Sequence, residues 1–259
     1  MSADTSDAKN DAVLTERRGR VLLITLNRPQ ALNSINGALA QGLAEAIARL
    51  DCDPGLTVGV LTGNGRGFCA GMDLKAFTAG EDIAPAVRFL RNGARKPLIA
   101  AVEGFALAGG LELALACDLI VAAAGAKFGI PEVRVGLIAA GGGLLRLPAR
   151  AGYGKAMEMA ITGEPILAEE AAGLGLVARV AEPGTAAAAA AMELAERVAR
   201  NAPLAVIASK EMVRATQGAT EAGFWSIQNP RRAAVFASND AKEGPRAFAE
   251  KREPQWTGT

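Results

Sequence analysis

The stretch GFALAGGLELALACDL, residues 104–119, limits the possible fold more than any other part of the chain. It sits in a long apolar run, residues 98–124, which Glu103, Glu112 and Asp118 interrupt at intervals no bilayer span would tolerate. The run therefore predicts core elements of a globular protein: a buried strand in PLIAAVEG, a glycine turn, a helix from about residue 108 and a strand in DLIVAAA. With 259 residues, 50% of them hydrophobic, the chain has material for one large core.

The same alternation extends in both directions. Two β-type runs flank Arg18 and Gly19 as a hairpin, and Pro29 ends the second. Leu39, Leu43, Ile47 and Leu50 recur at helical spacing, and the short buried strand LTVGVLTG follows. Next come the loop NGRGFCAGMDLKAF and a helix over residues 83–92. This order suggests stacked ββα turns in an α/β protein. Later segments read as successive helices separated by Gly or Pro, with the strand LVARV between them, and the alanines at 186–191 are good helix formers. The expected organisation is a flexible tail over 1–11, a mixed core over 12–182 and a helical region over 183–259, with no linker between them.

Composition removes whole classes of chemistry. There is no histidine, so Ser-His-Asp and Cys-His catalysis are excluded, and acid-base work falls to carboxylates, Lys, Tyr or Cys. A net charge of +1 gives no footprint for nucleic acid or an anionic membrane. Cys52, Cys69 and Cys117 are widely spaced without a CxxC, and the N-terminus does not resemble a signal peptide; they read as reduced thiols of a cytoplasmic protein. No metal site is expected. Neither glycine-rich segment, GFCAGMDLK (67–75) or EGFALAGGLE (103–112), matches a dinucleotide or P-loop fingerprint.

Glycine before a helix can aim free N–H groups at an anion or a developing oxyanion. Gly109 and Gly110 could equally serve tight packing, and Glu112 could simply complement a helix dipole. Glu132 has the same bland explanation, because Pro131 suits the first turn of a helix. Together, two acids beside glycine-rich backbone in apolar sequence suit paired acid-base catalysis, since apolar surroundings raise a carboxyl pKa.

GFCAGMDLKAF, then AAVEGFALAGGLELALACDLIVAA, AKFGIPEVRVGL and DAKEGPRAFAEKREPQW resemble, in order, the signatures of the crotonase family, the enoyl-CoA hydratase/isomerase superfamily. The similarity spans about residues 12–256. It implies a spiral of repeated ββα units with a helical C-terminal region that builds trimers, often a dimer of trimers. It also implies an acyl-CoA thioester substrate, with coenzyme A part of the substrate and no separate cofactor, nucleic acid or membrane partner. Met72 and Gly109 would supply the two backbone donors of an oxyanion hole. Glu112 and Glu132, twenty residues apart as in the hydratases, would hold the added water, Glu112 chiefly as base and Glu132 as proton donor to C2. Residues Ala70, Met72, Asp73, Leu74 and Lys75 would line the CoA side, with Lys75 either at a phosphate or merely solvated. Lys242, Arg246, Lys251 and Arg252 would approach the nucleotide or a neighbouring subunit, or form a solvated amphipathic helix.

Three positions depart from the family pattern. Met72 stands where alanine is common, Ala108 replaces the first glycine of a common triple, a mild change, and LIAAGGG lacks a frequent proline. The resemblance implies hydration of a trans-2-enoyl-CoA. Isomerisation, acyl-CoA hydrolysis and C–C cleavage are the alternatives within the family. A non-catalytic acyl-CoA or RNA binder is disfavoured by the presence of both glutamates and the lack of a lysine-dense helix.

Overall fold

A computed structural model of the chain describes residues 12–218 and 221–259. The tail expected at 1–11 lies outside the described residues. The hairpin is present: β1 (Val13–Arg18) and β2 (Val21–Leu26) pair antiparallel, with Arg18 opposite Val21. Each later strand joins in parallel, β3 (Val58–Gly63) beside β2, β4 (Leu98–Val102) beside β3, β6 (Leu119–Ala122) beside β4 and β9 (Arg179–Val180) beside β6. Helix α1 (Gly37–Cys52) makes the first crossover, and the Asn36 side chain caps it by accepting the Leu39 N–H at 3.1 Å.

Side chains on this sheet alternate with period two. Leu22, Ile24, Leu26, Leu98, Ala100, Val102 and Ile120 enter the main core with Leu39, Leu43 and Leu50 of α1. Val21, Val58, Val60, Ile99, Ala101 and Val121 form a second core with α8 (Ala187–Ala199). Burial on both faces explains why these strands read as continuous apolar runs. The alanine-rich helix is α8 itself: Ala187, Ala190, Ala191 and Ala195 are buried, and small side chains let its backbone lie close to the sheet. Glu103 fixes its start by accepting the Ala187 N–H at 2.5 Å.

The second sheet begins at a turn. Gly104 has φ +55°, and a Cβ there would lie 2.1 Å from the Arg66 carbonyl oxygen, so the chain reverses at that point only without a side chain. It then forms β5 (Phe105–Leu107), which pairs in parallel with β7 (Lys127–Gly129); β8 (Ile166–Leu167) completes a three-stranded sheet. β4 then β5, and β6 then β7, give one strand to each sheet per turn, which is the ββα spiral. β5 and β7 were not legible separately, because three residues are too few to show a period-two pattern.

Helix α2 (Leu74–Thr78) takes up the end of the segment expected as a loop, and α3 (Ala84–Asn92) matches the helix expected over 83–92. The helix expected from residue 108 is α4 (Gly109–Ala116), and residues 110–116 are all buried. After β7 come a 3-10 turn (Pro131–Val135), then α5 (Gly143–Ala151), α6 (Tyr153–Thr162) and α7 (Ala168–Gly173). Beyond α8 the described chain is helical through α9 (Pro203–Ala215), α10 (Glu221–Ala237) and α11 (Asn239–Glu250). Lys210 anchors α9 beside the starts of β4 and β6, paired with Asp118 at 2.6 Å and donating to the Ala94 and Lys96 carbonyls. No helix among the described residues is long and apolar enough to cross a membrane.

Ala108, which caps α4, corrects one expectation. Its backbone sits at φ +51°, ψ −130°, a region that favours glycine, so alanine in place of glycine is not a mild change there. Relief of that strain predicts that Ala108→Gly raises the unfolding free energy by about 1 kcal/mol, read by urea denaturation. A less stable variant would show that the surroundings accommodate the alanine without cost.

Candidate active site

Two isolated parallel bridges build the backbone of the site, Ile35 with Met72 and Cys69 with Ala106. Ile35 donates to the Gly71 carbonyl at 2.7 Å and accepts the Asp73 N–H at 3.0 Å. Because those bonds fall on either side of residue 72, the N–H of Met72 points away from Ile35. Across from it, α4 presses against the same segment. A Cβ on Gly110 would lie 2.2 Å from the Cys69 carbonyl oxygen, so α4 reaches its position only with glycine there.

The result brings two amides together. A Cβ built on Gly71 would lie 3.2 Å from the Gly109 nitrogen, and one on Gly109 would lie 3.7 Å from the Met72 nitrogen. Gly109 opens α4, where N–H groups lack intrahelical partners and carry the positive end of the helix dipole. Among the described residues neither amide has a hydrogen-bond acceptor. Both are available to an oxygen placed between them.

The neighbouring residues divide by role. Asp73 caps α2 by accepting from Lys75 and Ala76, and pairs with Arg28 at 3.1 Å. The Arg28 guanidinium, helped by those amides, holds the Asp73 carboxyl below the usual carboxylate range. Its carboxylate is thus engaged by the protein itself, and what it contributes is the shape of the Met72 loop. Ala70 donates to the Leu32 carbonyl at 3.0 Å. Leu74 and Lys75 are exposed on α2. At the far end of the chain, Arg246 and Arg252 both pair with Glu243 and pull its carboxyl far down. Those two cations are committed within their own segment.

Glu112 lies in the first turn of α4 and is buried, 4% exposed. Burial among apolar side chains pushes its carboxyl up, and the Gly143 N–H, donating to Oε1 at 2.9 Å, partly opposes that shift. Gly141 crosses so closely that a Cβ there would lie 2.5 Å from Glu112 Oε2. Arg146 holds this glycine loop through the Gly141, Leu90 and Arg91 carbonyls, and its charge favours the ionised Glu112. Glu132 stands on the 3-10 turn, just after Pro131. Burial raises its pKa too, and the Glu112 charge raises it further, so the two carboxyls predicted as a pair interact. Its Oε2 is buried with no hydrogen-bond partner among the described residues. Glu132 also lines a cavity of about 410 Å³ whose walls are otherwise mostly aliphatic, from the 3-10 turn, α5 and α6.

Sequence reasoning missed Gly141, Gly143 and Arg146 as partners of Glu112. The signal was present in the triple glycine of IAAGGGLLR, which had been noted only for a missing proline. The apolar residues of segment 77–87, which by sequence suit a core or an acyl pocket equally, include Ala86 in the core and Phe77 exposed, and none of the segment lines the cavity.

Two desolvated carboxyls, one of them in the first turn of the helix whose opening amide is unpaired, suit acid-base chemistry on a carbonyl compound. The family model described as enoyl-CoA hydratase/isomerase matches residues 16–259. A crystal structure of enoyl-CoA hydratase EchA1 from Mycobacterium marinum superposes with a TM-score of 0.93 at 56% identity, covering 96% of this chain and 100% of that one. Enoyl-CoA hydratase EchA19 from Mycobacterium tuberculosis is 42% identical over 94% of this chain and 95% of its own length. The carnitinyl-CoA dehydratase of Proteus mirabilis is 43% identical over 93% of this chain and 96% of its own. The chain belongs to the enoyl-CoA hydratase/isomerase family, the crotonases.

The raised carboxyls have a consequence for stability. A raised folded pKa means that the protonated form is favoured in the fold; that stabilisation is complete below the ordinary glutamate value of about 4.3 and is lost as pH rises through the folded pKa. Glu112→Gln keeps an acceptor for the Gly143 N–H and removes the charge. It is expected to exceed the parent in unfolding free energy by about 1 kcal/mol near neutral pH, with the gain vanishing in mild acid. Urea unfolding at both pH values checks this, and a variant weaker than the parent at neutral pH would refute it.

Proposed function

We propose that the chain catalyses hydration of a trans-2-enoyl-CoA to a 3-hydroxyacyl-CoA. The observation that carries this reading is the pair of raised, interacting carboxyls together with two adjacent unpaired amides, one of which opens the helix that carries Glu112. The Met72 and Gly109 N–H groups receive the thioester oxygen. As water oxygen bonds to C3, the C2=C3 electrons move toward the carbonyl and the oxygen gains charge, which the two donors stabilise more than they do the ground state. Glu112 takes a proton from the water and Glu132 delivers one to C2; transfer of the proton from Glu112 to Glu132, directly or through solvent, then restores the starting protonation of the pair. A raised pKa eases proton uptake by each carboxyl, which an alternating acid and base requires.

The resemblance implies that isomerase members generally work with a single glutamate at the position of Glu132, so retaining Glu112 as well favours water addition. Coenzyme A arrives as part of the substrate, and hydration is redox-neutral, so the step itself calls for no electron carrier. The reading also includes a homotrimer, or a dimer of trimers, built through the helical region from residue 183, in the cytoplasm. Exposed Val213 and Phe236 on α9 and α10 support the first part, and the free thiols of Cys52, Cys69 and Cys117 the second.

Loss of the conjugated thioester absorbance with crotonyl-CoA measures the reaction directly. Glu112→Gln and Glu132→Gln are each expected to lower kcat by roughly 10²–10⁴-fold. Full-rate hydration by either variant, or a product with the double bond moved and no water added, would overturn the assignment.

A further inference from the structure

The reaction proposed above leaves the acyl group open, and the cavity beside Glu132 bears on it. This cavity of about 410 Å³ lies between the 3-10 turn, α5 and α6. Its walls include Ile138, Leu144, Leu147, Met157 and Ile161, and Glu132 is the one carboxylate among them. Ala139 joins the cavity to the other glutamate: a Cβ on Gly143, whose N–H holds Glu112, would lie 3.2 Å from the Ala139 Cβ. The cavity thus opens onto Glu132, and its Ala139 wall packs against the loop that holds Glu112.

Two small residues leave this space open. Ala156 and Ala160 are one helical turn apart on α6, so both face the cavity, where larger side chains would occupy it. The rim is apolar as well, with Ile138 67% and Ile161 69% exposed. An apolar mouth of this kind marks a surface meant to be covered.

We infer that the acyl group is a medium- to long-chain, wholly apolar one, whose tail beyond C3 fills this cavity, with Ala156 and Ala160 setting its depth. The inference rests on the hydratase reading. At about 30 Å³ for a group the size of a water molecule, the space holds on the order of ten methylenes. A four-carbon enoyl group would leave most of it unused. A tail ending in a quaternary ammonium is not accommodated, since such a cation is held by several aromatic faces and the lining has one aromatic side chain, Tyr153.

The test uses trans-2-enoyl-CoAs of four to twelve carbons, and in parallel the calorimetric affinities of butyryl-CoA and decanoyl-CoA, which do not depend on turnover. The expected kcat/KM climbs about twofold per methylene, below the roughly fourfold ceiling for full burial, reaching on the order of 10² above the four-carbon substrate by ten carbons. The gain lies in KM more than in kcat, because a remote tail is held equally in ground and transition states. Decanoyl-CoA binds more tightly than butyryl-CoA by a similar factor. Ala160→Phe shrinks both ratios at least tenfold. Equal affinities and a flat or falling profile would overturn the inference while leaving hydration intact; failure to hydrate any substrate would strike the reaction, and the affinity ratio would still judge the cavity. Ratios unchanged in Ala160→Phe, with the oligomer dissociating, would assign the groove to subunit packing and overturn the proposal.

Discussion

Helix α4 meets the Cys69 carbonyl at a distance that leaves no room for a side chain at residue 110. The rest of the site depends on that contact. It sets the first amide of the helix beside the N–H of Met72, and one turn along the same helix it places Glu112 under the glycine loop. A rigid helix transmits position at 1.5 Å per residue, so a single close approach fixes both a pair of donors and a carboxyl relative to one another.

Two opposing demands meet at Glu112. Burial makes the carboxylate costly, which gives it a useful pKa, while the Gly143 amide and the Arg146 charge keep the ionised form within reach. Glu132 lacks comparable support, since one of its oxygens is buried without a partner and the neighbouring charge of Glu112 repels ionisation. Unequal environments for two like groups are a physical basis for dividing base and acid between them. The same logic runs through the loop at Met72, where Arg28 and Asp73 hold the shape of the backbone.

Much of the fold was legible because its strands are buried on both faces and its helices are punctuated by Gly and Pro. The hairpin and α1 follow from turn residues and helical spacing, β3, β4 and β6 from short apolar runs, α4 from its glycine turn and α8 from the helix propensity of alanine. β5 and β7 escaped because three-residue strands carry no pattern, and α2 because Asp73 alone starts it inside a glycine-rich segment. The strain at Ala108 was invisible for another reason: alanine is tolerated in almost any local context, and only the measured φ shows what the turn demands.

By itself, the sequence determined which chemistry was open to this chain. The absence of histidine, the two acids in apolar surroundings and the ordered glycine motifs settled residue types and local order, because these are properties of composition and short-range spacing. Only the tertiary structure decided that Glu112 and Glu132 interact and that the Met72 and Gly109 amides lie side by side. It alone showed Asp73 engaged with Arg28, and an apolar cavity behind Glu132 between elements distant in the chain. Those facts depend on which segments pack together, and packing is settled by the shape of the whole core rather than by any local stretch.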